Sequence, residues 1–199
     1  MNNTALVTGA SGGLGLEFAK LLAKDGNDLL LVARNGHRLE EIKDELEKAH
    51  GVKVYFLACD LTQDDSANKV YDYAKENSLQ IDVLINNAGF GDFGNYLDSV
   101  WEKQRDMINL NVLALMRLTY LFVPEMKERG KGKILNVASI ASFQPGPLMS
   151  VYYASKAFVL SFSEALAVEL KKTGVTVTAL CPGPVRTCFE KAANLAYSG

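Results

Sequence analysis

Tyr152 and Lys156 are the pair of side chains whose types and spacing point most directly to chemistry. They lie four residues apart in a stretch that we predict to be helical, so both side chains share one helix face. A free tyrosine has a pKa of about 10, which is too high for a base at neutral pH. A neighbouring ammonium group favours the phenolate and should lower that pKa, which would suit Tyr152 to general acid–base catalysis.

Ser139 and Asn111 are two further polar residues in chemically suggestive places. Ser139 follows the predicted fifth strand, and open α/β sheets bind ligands outside the carboxyl ends of their strands, so its hydroxyl could hold a substrate oxygen. Asn111 interrupts a long apolar helix, where a buried amide needs hydrogen-bond partners. Taken singly, these residues are compatible with a surface serine, a core-edge tyrosine, a helix contact and a satisfied amide. Together they favour a catalytic site.

A glycine-rich turn after the first predicted strand has the pattern TGxxxGxG over residues 8–15. Glycines 9, 13 and 15 let the chain turn sharply and let its backbone approach a pyrophosphate. The N-terminus of the helix that follows offers free N–H groups to the same anion. A tight turn alone would also explain the glycines, but the position between strand and helix favours a phosphate-binding loop.

The end of the second predicted strand indicates which dinucleotide such a loop would serve. A carboxylate there would bind the adenosine ribose hydroxyls and repel a 2′-phosphate. This chain has Ala33 at that position, followed by Arg34, whose guanidinium can bind phosphate bidentately and stack on adenine. A solvated arginine at a strand end is the alternative interpretation. We therefore expect NADP(H) to be preferred over NAD(H).

The elements that must position these residues alternate along the chain. Short apolar runs with little alternation are typical of parallel strands covered on both faces, and helix-period stretches separate them. This order predicts a Rossmann-type α/β fold, a doubly wound parallel sheet in three α/β/α layers, formed by residues 1–199 as a single domain. The predicted strands are 5–8, 29–33, 53–58, 83–86, 133–139 and 176–181, and the predicted helices are about 14–24, 38–50, 65–77, 100–129 and 151–173.

Two stretches of these helices, 107–126 and 151–170, are apolar over most of their circumference. Such helices must be buried on more than one side, whereas a sheet covers one side only. We predict that both also pack against another subunit, in a homodimer or homotetramer. Additional burial within the chain is the alternative.

Composition excludes several classes of function. The chain has 199 residues and a net charge of −2, which gives little electrostatic reason to bind nucleic acid or an anionic membrane. Its three cysteines lack CxxC spacing and its two histidines lie in polar stretches, so we expect free thiols and no metal site. No targeting segment precedes the first strand, and runs such as 29–33 are shorter than a membrane span. We expect a cytoplasmic protein without a membrane partner.

These motifs occur together in an order that resembles the short-chain dehydrogenase/reductase family, in its ordinary soluble branch, over essentially the whole chain. The resemblance is carried by segments 8–15, 60–61, 86–89, 152–156 and 182–187, with Asn111 and Ser139. It implies hydride transfer between NADP(H) and a carbonyl or alcohol substrate, and a catalytic tetrad of Asn111, Ser139, Tyr152 and Lys156. A nicotinium ion would add to the effect of Lys156 on Tyr152, and a water near the Asn111 backbone would link Lys156 to solvent.

The resemblance also assigns most of a cofactor site. Asp60 would contact the adenine, and the segment 182–187 would hold the nicotinamide end. A nucleotide-binding sensor or partner protein without turnover is the alternative class, and an epimerase or dehydratase of the extended branch is a weaker one. The predicted cofactor-binding residues are Gly9, Ser11, Gly13, Leu14, Gly15, Arg34, Asp60, Leu61, Asn87, Ala88, Gly89, Tyr152, Lys156, Pro182, Gly183, Val185 and Thr187.

Two apolar segments are expected to line the substrate site. Residues 140–149 should lie beside Tyr152, and residues 90–93 should form another wall; both are apolar or aromatic with few charges. They favour an apolar ketone or 3-oxoacyl-type substrate, although packing between loops would also explain them. Family members usually continue with a substrate-covering helical segment, a further helix and a seventh strand, which residues 1–199 are expected to lack.

Overall fold

The computed structural model describes residues 2–184, and these residues contain one parallel sheet of six strands. The strand order is β3-β2-β1-β4-β5-β6, so the chain starts in the middle of the sheet and winds outward in both directions. This order brings the carboxyl ends of β1 and β4 side by side, which creates the switch point where such sheets bind ligands. The strands are β1 Thr4–Thr8, β2 Asp28–Ala33, β3 Val54–Ala58, β4 Ile81–Asn86, β5 Gly132–Val137 and β6 Val175–Leu180.

Both faces of the sheet are covered, which is why its central strands are apolar without alternation. Successive residues of β1 point to opposite faces, and all five are buried. Leu6 packs into a core beneath the helices at Ser66–Glu76 and Leu115–Glu128, whereas Ala5 and Val7 pack into a second core beneath the helices at Gly13–Lys24 and Gly36–His50. The doubly wound, three-layer fold predicted from the sequence is confirmed. The helices are α1 Gly13–Lys24, α2 Gly36–His50, α3 Ser66–Glu76, α4 Trp101–Ile108, α5 Leu115–Glu128 and α6 Ser150–Glu169.

The prediction of one helix over 100–129 is wrong in one respect that matters for the site. A π-helical turn, Asn109–Ala114, separates α4 from α5 and contains Asn111. The axis continues, but the extra residue per turn changes the direction in which the side chains point. Such turns are rare and occur frequently at functional sites. The prediction for β5 also extended too far, because the strand ends at Val137 and Ser139 caps a 3₁₀ turn, Ile140–Phe143.

Within residues 2–184, the continuous helical stretch Trp101–Glu128 is long and apolar enough to cross a membrane by length and composition. The short apolar runs considered in the sequence did not indicate this. Core helices meet the same criterion, and half of the apolar window of this stretch is buried. Leu118, Phe122 and Met126 are the buried contacts of α5 with the sheet.

Candidate active site

A cleft of about 800 Å³ runs along the carboxyl ends of the central strands. It begins at the glycine-rich turn after β1, passes the ends of β2 and β4, and reaches the start of α6. Most of the residues predicted from the sequence line this single cleft. They are Gly9, Ser11, Gly13, Leu14, Arg34, Asp60, Leu61, Asn87, Ala88, Gly89, Ser139, Tyr152, Lys156, Pro182 and Gly183.

The glycine-rich turn is shaped by close backbone contacts. Gly9 and Gly13 adopt left-handed conformations, with φ of 67° and 55°. Gly15 lines no part of the cleft, but a Cβ there would overlap the carbonyl of Gly9 and lie 2.6 Å from Asn87 Nδ2. Its role in this structure is therefore to let α1 start directly beneath the turn, so that the free N–H groups of the helix face the cleft.

Thr8 and Asn87 join the ends of β1 and β4. Asn87 Nδ2 donates to the Thr8 carbonyl at 2.9 Å, while the backbone amides of Asn87 and Ala88 each donate to Thr8 Oγ1 at 3.0 Å. The Thr8 hydroxyl in turn donates to the carbonyl of Ile85 at 3.3 Å. These bonds hold the glycine-rich turn against the loop that follows β4, so the two sides of the cleft keep a fixed separation.

The adenosine end of the cleft carries a cation that has no partner within residues 2–184. Arg34 is exposed and forms no ion pair there, whereas Arg38, one turn into α2, is bound to Glu41 at 2.7 Å. Ala33 is buried at the position where a carboxylate would repel a phosphate. On the opposite side, Asp60 accepts hydrogen bonds from the amide and hydroxyl of Thr62 at 3.0 and 2.9 Å.

Ser139, Tyr152 and Lys156 meet at the other end of the cleft. Ser139 has extended backbone, and its Oγ accepts the Ala141 amide at 3.1 Å, which begins the 3₁₀ turn. Its side chain is also hydrogen-bonded with Tyr152. Lys156 is buried, donates from Nζ to the Val137 carbonyl at 2.7 Å and lies 5.8 Å from the centroid of the Tyr152 ring. The end of β5 and one face of α6 therefore bring these groups together.

Burial has the largest effect on the pKa values of Tyr152 and Lys156. It raises the pKa of Tyr152, and the hydrogen bond with Ser139 opposes this rise only in part. Burial also lowers the pKa of Lys156 from 10.5 to about 8. In the described residues, without a cofactor, the pKa of Tyr152 is thus raised, whereas the lowering expected from Lys156 together with a nicotinium ion stays a prediction. The sequence spacing was correct, but the ammonium group is directed to a strand carbonyl.

Asn111 lies behind the cleft and lines no part of it. Its carboxamide pairs with the backbone of Phe90, donating to the carbonyl at 2.9 Å and accepting from the amide at 3.1 Å. It also donates to Ser155 Oγ at 3.0 Å, and that hydroxyl donates to the Tyr152 carbonyl at 2.7 Å. Asn111 therefore connects the loop after β4 to the helical turn that carries Tyr152 and Lys156. The water-mediated proton relay stays a prediction.

The lack of a side chain at Gly89 explains why the loop after β4 can lie so close to Asn111 and Lys156. A Cβ at Gly89 would lie 2.9 Å from Asn111 Oδ1 and 3.4 Å from Lys156 Nζ. Pro182 and Gly183 border the cleft after β6, and the Pro182 carbonyl accepts the Ile140 amide at 3.1 Å. Val185 and Thr187 were also predicted to bind the cofactor but lie outside the described residues.

Sequence reasoning missed several residues of the cleft. Val137 supplies the carbonyl that holds Lys156, and Cys59 and Lys103 line the cleft. The position of Val137 at the end of β5, two residues before Ser139, was a usable signal. Lys103 had none, because only the packing of α4 brings it to the cleft.

Comparison with known proteins identifies the class to which this fold and site belong. The family model for short chain dehydrogenases matches residues 3–198, and the chain belongs to that family. Among solved structures, a short-chain dehydrogenase from Sphingobium yanoikuyae in complex with NADPH is 38% identical, with a TM-score of 0.93 over 98% of this chain and 75% of that one. The bulky-bulky ketone specific alcohol dehydrogenase from Comamonas testosteroni is 35% identical, with a TM-score of 0.88 over 92% and 73%.

Curated relatives point to particular activities within the family. The mouse (Mus musculus) 17-beta-hydroxysteroid dehydrogenase type 3 is 35% identical over 98% of this chain and 64% of its own length. The rat (Rattus norvegicus) very-long-chain 3-oxoacyl-CoA reductase is 37% identical over 94% of this chain and 61% of its own length. The chain thus spans less than two thirds of the length of these curated relatives.

Proposed function

We propose that this chain is an NADP(H)-dependent oxidoreductase that transfers a hydride between the nicotinamide and a carbonyl or alcohol group. The observation that carries the proposal is the convergence of Ser139, Tyr152 and Lys156 at one end of the cleft whose other end is the glycine-rich turn. A hydroxyl pair beside a buried amine suits proton transfer to a substrate oxygen. A glycine-rich turn opening a helix suits a pyrophosphate. One cleft therefore provides both halves of the reaction.

The residues present fit NADP(H). The glycine-rich turn lines the cleft with Gly9, Ser11 and Gly13, so a pyrophosphate would lie against backbone beside the N-terminus of α1. Arg34 would bind the 2′-phosphate, and the absence of a carboxylate at Ala33 removes the repulsion that would exclude it. The complex of the Sphingobium yanoikuyae relative with NADPH supports this choice. When bound, the cofactor supplies or accepts the hydride, and the chemistry of that step is its own.

The protein groups handle the proton. Ser139 Oγ would orient the substrate oxygen by a hydrogen bond and stabilise negative charge that develops on it. Tyr152, whose pKa is raised by burial, carries its proton at neutral pH and would donate it to the same oxygen during carbonyl reduction. Lys156 holds a positive charge beneath the ring from its site on the Val137 carbonyl, which would stabilise the phenolate that the donation leaves.

An apolar ketone or 3-oxoacyl-type compound is the substrate class that the site supports. Near Tyr152 the cleft is lined by the apolar side chains of Phe90, Ile140 and Met149. The names of the relatives, which include a steroid dehydrogenase, a 3-oxoacyl-CoA reductase and a bulky ketone dehydrogenase, support the same class. Turnover of small polar sugars in preference to hydrophobic ketones would contradict this part of the proposal.

We further propose a cytoplasmic homodimer or homotetramer. Helices α5 and α6 expose large apolar side chains, including Met116, Tyr120, Phe158 and Val168, and another subunit would cover them. Size-exclusion chromatography with light scattering should give a mass of at least two chains, and a clean monomer at micromolar concentration would contradict the oligomer. Cell fractionation tests the location, and recovery in the membrane pellet would contradict it.

The test of the activity follows NADPH and NADH oxidation by absorbance with ketones, aldehydes and 3-oxoacyl thioesters, for the wild type and Tyr152→Phe. We expect turnover that prefers NADPH and disappears in the variant, since the variant keeps the ring and loses only the transferable proton. Isothermal titration with NADPH should give the same affinity for both proteins. Tight binding without any turnover in the wild type would instead support a nucleotide-binding sensor or partner protein.

A further inference from the structure

The loop that follows β4, residues 90–94, is held in place by polar contacts. Phe90 lies in the wall of the cleft, and beyond it the chain leaves the sheet for a 3₁₀ turn, Tyr96–Asp98, and then α4. Apolar burial contributes little to the outer part of this connection, because Phe93 is 44% exposed and Leu97 is 91% exposed. A segment with so few buried apolar contacts opens easily unless other interactions hold it.

Asp92 provides the main polar contact in the middle of the loop. Its carboxylate is nearly buried, and one oxygen accepts from Lys103 Nζ while the other accepts from Gln104 Nε2 at 2.9 Å. Gln104 is itself buried, whereas Lys103 is partly exposed and lines the cleft. Charge-assisted hydrogen bonds in such surroundings are stronger than neutral ones. The first turn of α4 therefore forms hydrogen bonds with both carboxylate oxygens of Asp92.

Two backbone contacts on either side of Asp92 complete the attachment. Phe90 is paired through its amide and carbonyl with the carboxamide of Asn111. The amide of Gly94 donates to the carbonyl of Leu148 at 2.8 Å, which joins this loop to the segment before α6. Both outer contacts use backbone atoms of the loop, and the one at 94 also depends on a glycine, since Gly94 has a φ of 153°. Asp92 is the position where the side chain decides whether the loop is held.

We propose that Asp92, which accepts hydrogen bonds from Lys103 and Gln104, is a positioning residue for the loop 90–94. It fixes this loop as the substrate-facing wall and thereby sets the selectivity for bulky apolar carbonyl compounds. The inference rests on the proposed function, because it concerns the substrate end of the same cleft. Phe90 at the start of this loop lines the cleft, so a fixed loop would contact a bulky substrate more than a small one. Release of the wall should therefore weaken binding of bulky substrates while leaving the proton-transfer groups in place.

The kinetic test compares a bulky aryl ketone with a small aliphatic ketone in Asp92→Asn and Lys103→Met. Loss of one charge-assisted bond should raise the KM for the bulky ketone by about tenfold. In Asp92→Asn, at a residue that does not line the cleft, we expect kcat, the KM for the small ketone and the affinity for NADPH to stay within about twofold. Lys103→Arg, which keeps charge and donors, should restore the KM. Glu102→Gln, at an exposed neighbour on α4, serves as the matched control.

Hydrogen exchange tests the same attachment without turnover. Asp92→Asn and Lys103→Met should speed exchange of the amides at 90–94 by about tenfold, while amides of β1 and β4 stay protected. Absence of turnover in the wild type would refute the proposed function, yet the exchange result would still stand. Unchanged exchange at 90–94 would overturn the role of Asp92. In Asp92→Asn, equal KM increases for both ketones, or a parallel loss of NADPH affinity, would overturn the proposed selectivity.

Discussion

Replacement of Lys156 by methionine tests whether burial controls the electrostatics of the site. The lysine is buried with its Nζ on the Val137 carbonyl, and burial lowers its pKa from 10.5 to about 8. Between these two pH values the unfolded chain binds more protons at this residue than the folded chain. The free energy of unfolding of the wild type should therefore rise with pH in this interval, relative to that of Lys156→Met.

The size of the effect follows from the two pKa values. Each pH unit corresponds to about 1.4 kcal/mol, so the charged lysine costs the folded state about 3 kcal/mol near neutral pH. This cost is fully present below about pH 8 and is gone above about pH 10.5. From about pH 7.5 to about pH 9.5, the difference between the wild type and Lys156→Met should change by about 2 kcal/mol. The lost hydrogen bond to Val137 adds an offset of about 1 kcal/mol that does not change the slope.

Urea unfolding across this pH range measures the difference directly. Ser142→Ala is the matched control, because its hydroxyl donates to the Lys156 carbonyl at 2.8 Å and its loss leaves the ammonium group in place. The control should shift stability by a constant amount at every pH. A difference between the wild type and Lys156→Met that is flat with pH would refute the argument that burial controls this lysine.

Three further predictions concern the ends of the cleft. Arg34→Asp should weaken NADPH binding by about 100-fold or more and NADH binding much less, as measured by titration, because two charge-assisted bonds to phosphate are lost. Gly89→Ala should cost about 1–3 kcal/mol of stability in thermal unfolding, since its Cβ would lie 2.9 Å from a carboxamide oxygen that holds the loop after β4. Ser139→Ala should lower kcat by about 100-fold. Because its hydrogen bond lowers the pKa of Tyr152, its removal should also move the ionisation of the Tyr152 phenol to higher pH, measured as the difference in phenolate absorbance between the wild type and the variant.

Matched variants separate these effects from general damage. Arg38→Asp makes the same substitution at an arginine already bound to Glu41, and it should leave the preference between NADPH and NADH unchanged. Gly12→Ala places a methyl group where nothing lies within 4 Å of the new Cβ, so its stability should be within about 0.5 kcal/mol of the wild type. Equal loss of NADPH and NADH in Arg34→Asp, an unchanged melting temperature in Gly89→Ala, or an unshifted pH profile of the phenolate absorbance in Ser139→Ala would each contradict the corresponding argument.

The fold could be predicted because its determinants are local in the sequence. A strand such as β1, with Leu6 in one core and Val7 in the other, must be apolar throughout, and no half-exposed strand has that pattern. The role of the glycines in the first turn could also be predicted, since glycines between a strand and a helix imply that the backbone approaches a neighbouring chain segment or a ligand closely. Residues that act through backbone geometry at the junction of two elements leave a local signature.

Other features depend on contacts between distant parts of the chain. The π-helical turn at Asn109–Ala114 lets Asn111 reach the backbone of Phe90, twenty-one residues earlier, and no periodicity signals that contact. Lys103 reaches the cleft because α4 packs against α6, which follows much later in the chain. The direction of the Lys156 ammonium group also depends on a distant contact, the Val137 carbonyl. The i,i+4 spacing places Lys156 on the right face, but the end of β5 determines where its ammonium group points.

Burial acts on Tyr152 and Lys156 in opposite directions and favours the neutral form of each. At neutral pH the phenol therefore keeps its proton, while the amine, with a pKa of about 8, remains mostly charged. Carbonyl reduction would require this arrangement. Tyr152 holds a proton that it can donate to the substrate oxygen, and the Lys156 ammonium can stabilise the phenolate that remains. Alcohol oxidation needs the phenolate first, and the protein groups alone oppose its formation. These protonation states thus suit the proposed carbonyl reduction better than the reverse oxidation at neutral pH.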